Sequence, residues 1–204
     1  SRIGMTRGWD LDTLWRDGEV DLALRYRVAK NALERRQKEV LAGIDQWCQE
    51  YEEKVRAMGG LGFFLGGIGP DGHIGFNCRG ASHYSTTRLD DINFETQAAA
   101  ATDLGGIEVS RKRKVITIGL GTITFNPQCV ALIIAAGEAK ARVVASAIQE
   151  SPNTLYPGTA LQSLPNARFY VTTGAAQMLI QRQVAAVAAA PAATDEQVER
   201  ALVD

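Results

Sequence analysis

The chain has 204 residues, 46% of them hydrophobic and 22% charged, with a formal net charge of −1. That size suits one domain or a large piece of one, able to bury roughly 70% of its unfolded surface. The balance of charge excludes an electrostatic footprint for nucleic acid or an anionic membrane.

The first 60 residues hold all three tryptophans (Trp9, Trp15, Trp47) and no strand-like run. A helix is expected over residues 19–35. From Val40, the apolar positions Leu41, Ile44, Trp47, Cys48, Tyr51, Val55 and Met58 step by three and four, which predicts a second helix with one buried stripe. Gly59 and Gly60 end it as an αL C-cap would. Residues 1–60 thus read as a helical cover region without a catalytic signature.

Strand signals begin after it. LGFFL at 61–65, VITI at 115–118, VALIIA at 130–135 and RFYVT at 168–172 are short apolar runs without clean alternation. Such runs suit strands buried on both faces of a parallel sheet. Helical stretches are expected at 138–150, with Val143, Val144, Ala147 and Ile148 inward, and at 175–188. The alternation predicts an α/β fold: a mainly parallel, Rossmann-like sheet with helices on both faces, preceded by the helical region. The core is expected over 61–190, with a hinge near Pro191 and a polar C-terminal helix or tail over 191–204.

The three cysteines (Cys48, Cys78, Cys129) are far apart and odd in number, no CxxC occurs, and only two histidines are present. No metal site, disulfide framework or cofactor is expected, and free thiols suit a reducing cytoplasm. The apolar runs at 129–136 and 184–193 are too short to span a bilayer. The basic run Arg111, Lys112, Arg113 and Lys114 is expected to be a solvated strand entry, His83 a solvated loop residue, Cys129 a packing residue, and Asn126-Pro127 a turn.

In open α/β sheets ligands bind beyond the carboxyl ends of the strands. After the first strand the chain reads GGIGPDGHIGFN over 66–77. Glycines such as Gly67 and Gly69 let backbone approach a ligand closely. Asp71 and His73 lie two apart in this turn, so their side chains can converge. A carboxylate there can fix the imidazole tautomer and make the ring a proton shuttle. The bland alternative is a tight turn with a capping Asp and a packed His.

The longer string resembles the signature of the glucosamine-6-phosphate deaminase/isomerase family, G-G-x-G-x-D-G-H-I-x-F-N after a strand. The resemblance continues through STTR at 85–88, IGLGTI at 118–123, IIAAGEAK at 133–140 and LQSLPNAR at 161–168, and covers residues 49–176 in order. The related 6-phosphogluconolactonases share the turn and DGH, but Phe76-Asn77 is similar to the deaminase branch. The resemblance implies conversion of glucosamine 6-phosphate and water to fructose 6-phosphate and ammonia, without metal or cofactor, by a homo-oligomer. It implies that His73 assists sugar-ring opening, held by Asp71 and by a glutamate whose position here is Cys78. A thiol is a poor substitute for that carboxylate, being mostly neutral at neutral pH. Lys140 matches a lysine on the substrate phosphate. The second phosphate ligand, an arginine, has no counterpart in AAAATDLGG at 98–106. Arg88 matches a residue that in some members holds the phosphate of an allosteric activator. Asp90 stands where a lysine is common, so Arg88 is expected to be solvated instead.

The family's N-terminal phosphate loop and Asp-Glu pair have no match in residues 1–60. The chain is expected to be either a piece of a longer polypeptide or a divergent member, with an exposed sheet edge that more protein or a neighbouring chain covers. Two functions follow: an isomerase/deaminase acting on a phosphorylated amino sugar, or a non-catalytic sugar-phosphate-binding or assembly domain. A lactonase-like hydrolase is a third.

Overall fold

The computed structural model describes residues 8, 10–16, 19–104, 106–107, 114–190, 194–196 and 198–199. Trp9, Arg111, Lys112, Arg113, the hinge at Pro191 and most of the expected C-terminal helix lie outside them.

After a helical turn α1 (Leu11–Leu14), the expected helix over 19–35 is not formed. Two capping side chains divide that segment. Asp21 accepts from Ala23 N at 2.9 Å and caps a 3-10 turn, Leu22–Arg25. Asn31 then accepts from Glu34 N at 2.9 Å and starts α2, Ala32–Ala57. Asn three residues before Glu is a start signal, so the segment expected as one helix belongs to two elements. Arg27 bridges them, donating to Asp21 and Glu34. α2 buries Val40, Leu41, Ile44, Cys48 and Val55 of the expected stripe, whereas Tyr51 and Met58 are 39% and 76% exposed, and Gly59 and Gly60 end it at φ of 86° and 87°.

Three strands form a parallel sheet in the order β1 (Phe63–Gly67), β4 (Val130–Ala135), β5 (Arg168–Val171). The VITI run does not join it. Strand β3 (Val115–Thr117) pairs antiparallel with β2 (Arg88–Asp90), which the sequence pattern did not predict as a strand. Leu89 and Ile116 face each other in that ribbon and pack on the α2 stripe with Leu24, Leu41 and Cys48. Helices α3 (Phe94–Leu104), α4 (Leu120–Thr124), α5 (Ala141–Gln149) and α6 (Ile180–Ala189) complete the order. The last starts later than expected because residues 173–179 are turns.

The main core lies on one face of the parallel sheet. Ile133 and Ala135 of β4 pack with Val143, Val144 and Ala147 of α5, Leu120 and Ile123 of α4, and Leu161 of the 3-10 segment Pro157–Ser163. Ile148, expected inward, is 38% exposed. Cys129 is fully buried here, as expected. Gln162 closes the end of α5 by donating to Ala147 O and Glu150 O at 2.9 and 2.8 Å. The other face departs from the expected two-sided burial. Phe63, Leu65, Ile134 and Tyr170 are 57–61% exposed, and no covering layer lies among the described residues. No helix among them is long and apolar enough to cross a membrane.

One buried carboxylate joins the two halves. Glu52 on α2 accepts from Thr87 N, Thr87 Oγ1 and Thr122 Oγ1 at 3.3, 3.2 and 2.8 Å, and pairs with Arg56. The α2 cover is thus tied both to the STTR segment and to α4. Glu52→Ala leaves the fully buried Thr122 hydroxyl without its carboxylate acceptor. A loss on the order of 2–3 kcal/mol is expected by urea denaturation, with Glu52→Gln recovering part of it; full stability in Glu52→Ala would show that the tie is dispensable.

Candidate functional site

The segment from Ile68 to Arg79 leaves the carboxyl end of β1 as a compact loop. Gly69 N donates to His73 O at 2.8 Å and Gly72 N to Gly69 O at 3.1 Å, which folds the DGH turn back on itself. Two glycines are dictated by this geometry. A Cβ on Gly69 would lie 2.0–2.3 Å from the His73 ring, so the imidazole can lie flat on the backbone only over glycine. Gly72 has φ of 83°, a conformation that L side chains avoid. Gly67 faces open space apart from Ile134 O at 3.6 Å.

Asp71 organises the loop. It is fully buried, and its Oδ1 lies 2.5 Å from His73 Nδ1. Its Oδ2 accepts from Arg79 N at 2.9 Å and from Asn93 Nδ2 at 2.6 Å. Burial by itself pushes this carboxyl upward, but the His73 ring, the Arg79 N–H and the Asn93 amide together outweigh it and hold it well below the usual carboxylate range. The ionised Asp71 therefore takes the Nδ1–H of His73 and leaves Nε2 as the nitrogen free to work. The ring is 12% exposed and lines a shallow cleft of about 430 Å³ with Leu65, Gly66, Gly67, Gly69 and Phe76. The site thus opens where α/β sheets bind ligands.

Cys78 lies on the inner side of the pair. Its Sγ is 3.5 Å from Thr96 Oγ1, and that hydroxyl is 3.2 Å from His73 Nδ1. Burial pushes the thiol up, with the Thr96 hydroxyl pulling the other way, so the position carries no charge at neutral pH. Lys140 reaches the loop from the end of the 3-10 turn Glu138–Lys140, donating to Ile68 O at 2.8 Å. Burial lowers its pKa and the nearby Asp71 opposes that. The ammonium ties the mouth of β1 to the segment after β4, with two further N–H groups to offer.

Arg88 is not solvated. Its guanidinium donates to Asp90 Oδ2 and to Asn77 Oδ1, each at 2.8 Å, and it is 26% exposed. Asp90, standing where the resemblance implies a lysine, is its partner. His83 also departs from expectation, lying 3.0 Å from Asn153 O. Asn126-Pro127 is a turn, with Gln128 N donating to Asn126 Oδ1.

Three more residues complete the site: Asn77, which the sequence marked only as part of the signature, and Asn93 and Thr96, which it did not single out. Buried Asn77 donates to Ile74 O and Ile118 O at 2.9 and 2.8 Å and accepts from Ser85 and Arg88, so the signature loop is locked to the STTR and IGLG segments. Asn93 both clamps Asp71 and caps α3 by accepting from Thr96 N at 2.9 Å. Thr96 is 2% exposed. An N-cap signal, Asn93 three residues before Thr96, was readable; the contact with Asp71 was not, because it spans 22 residues.

No protein-family model matches the chain. Among curated proteins, it is 39% identical over 126 residues to the glucosamine-6-phosphate deaminase of Borreliella burgdorferi (strain ZS7), a match covering 62% of this chain and 46% of that one. It is 36% identical over 128 residues to glucosamine-6-phosphate deaminase 1 of Bos taurus, covering 63% and 44%. A solved structure described as a monomeric glucosamine-6-phosphate deaminase superposes with a TM-score of 0.59 at 30% identity, covering 64% of this chain and 53% of that one. The chain spans about half the length of the curated relatives it matches. Sequence and fold agree that, over the segment they share, this chain is similar to the glucosamine-6-phosphate deaminases.

Proposed function

We propose that the chain carries the ring-opening part of an isomerase/deaminase site that converts glucosamine 6-phosphate and water to fructose 6-phosphate and ammonia in amino-sugar catabolism. The observation that supports it is the buried Asp71 holding His73 Nδ1 at 2.5 Å at the mouth of a glycine-lined cleft. In this reading His73 Nε2 moves the proton that opens the sugar ring. Gly67 lets the substrate approach the backbone, Gly69 makes room for the His73 ring, and Lys140 offers its remaining N–H groups to the phosphate. Arg88 acts as a positioning residue through Asn77 rather than on an anion. The reaction is placed in the cytoplasm, which suits three free thiols. We keep the homo-oligomer that the family resemblance implies as part of the proposal.

A second reading has its own support: Cys78 stands where the family has a carboxylate, so the fold can serve as a sugar-phosphate-binding domain without turnover. Ammonia release from glucosamine 6-phosphate separates the two. Under the enzymatic reading His73→Ala lowers kcat by about 10²–10⁴-fold, while circular dichroism stays unchanged. Equal turnover in His73→Ala would remove that residue from the chemistry, and tight binding of the sugar phosphate without ammonia release would favour the second reading.

Cys78→Glu restores a carboxylate beside the Asp71–His73 pair. A severalfold rise in kcat is expected, with KM little changed, because the group orients the imidazole and does not hold the phosphate. A correctly folded Cys78→Glu protein with no gain would show that position 78 does not limit ring opening.

A further inference from the structure

Asp71, His73 and Cys78 place one carboxylate oxygen, one imidazole nitrogen and one thiol sulfur within 4.8 Å of one another. It is the one such group of three among the described residues, and it mixes the donor types that zinc prefers. We propose that these three side chains form a zinc site, and that zinc bound there shuts off His73.

The surroundings fit a metal better than they fit a bare thiol. Asp71 Oδ2 is held by Arg79 N and Asn93 Nδ2, which leaves Oδ1 aimed at the His73 ring. Such outer contacts orient metal ligands and strengthen binding. Thr96 Oγ1 lies beside two of the three ligand atoms, 3.2 Å from His73 Nδ1 and 3.5 Å from Cys78 Sγ, and the fourth donor to the zinc would be a water. Tetrahedral zinc with bonds of about 2.0–2.3 Å sets its ligand atoms roughly 3.3–3.6 Å apart. The Asp71–His73 contact therefore opens from 2.5 Å and Cys78 moves inward, shifts on the scale of a side-chain adjustment.

The chemistry balances without any redox step. Zinc takes the place of the Cys78 thiol proton, which is released to solvent. The ionised Asp71 keeps its charge and becomes a ligand. His73 binds through Nδ1, and its ring proton moves to Nε2. The zinc, thiolate and carboxylate charges cancel. Nε2 then carries a hydrogen and can no longer accept a proton. The inhibitory consequence rests on the ring-opening role proposed for His73; the binding does not.

The test uses the full chain with metal alone. Cobalt(II) is expected to bind at one equivalent and to give a thiolate-to-metal charge-transfer band, which Cys78→Ser abolishes. Zinc is expected to displace the cobalt, and Cys78→Ser to weaken zinc binding at least about tenfold, read by competition with a chromophoric chelator. Cys48 and Cys129 are 2% and 0% exposed inside apolar clusters, so they supply no competing thiolate. A second readout needs no variant: zinc should protect Cys78 from alkylation, followed by mass spectrometry. No band, a band that survives Cys78→Ser, or alkylation unaffected by zinc would each overturn the site. Ammonia release that continues with zinc bound would overturn the inhibitory role and leave the site standing.

Discussion

The buried carboxylate of Asp71 is the interaction on which the rest of the site depends. A charge in a dry loop is costly unless it is fully bonded, and this one takes the Arg79 N–H, the Asn93 amide and the His73 ring. Each partner comes from a different piece of chain: the turn itself, the exit from that turn, and the start of α3. Removing the charge would release all three at once. The orientation of His73, the position of the 71–79 loop and the placement of Thr96 therefore share one cause.

Two further polar hubs carry this arrangement outward. Asn77 uses both donors and its acceptor oxygen on backbone and side chains from three segments. Glu52 fixes the helical cover to Thr87 and Thr122. Buried networks of this kind rigidify when every member is satisfied. They also give the family-like strings a plain reason. STTR, IGLGTI and FN, which carry the resemblance to the deaminases, are segments that Asn77 and Glu52 tie to one another and to the loop that holds Asp71 and His73. The departure at Cys78 sits inside that frame without disturbing it, since the thiol is small and uncharged and has Thr96 beside it.

The parallel sheet is finished on one side only. Parallel sheets are ordinarily covered on both faces, and an apolar face as broad as Phe63, Leu65, Ile134 and Tyr170 is unusual on a free surface. β1, which carries Phe63 and Leu65 of this face, also leads into the glycine cleft, so the cleft is built from one strand and the loop that follows it.

The sequence by itself determined most of the α2 stripe and its glycine stop, strands near 61–65, 130–135 and 168–172 that the structure places at 63–67, 130–135 and 168–171, and the loop that brings Asp71 to His73. These depend on neighbours in the chain: spacing, caps and turns. The resemblance to the deaminases was equally legible, because it rests on contiguous strings. Only the tertiary structure decided that VITI pairs with residues 88–90, since an apolar run does not name its partner. It also decided that Arg88 spends its charge on Asp90 and Asn77, and that Asn93, Thr96 and Glu52 hold the site together. Apart from Arg88–Asp90, two positions apart, those contacts join residues 11 to 70 positions apart. Their strength comes from being buried side by side, a property of the folded chain that no local pattern encodes.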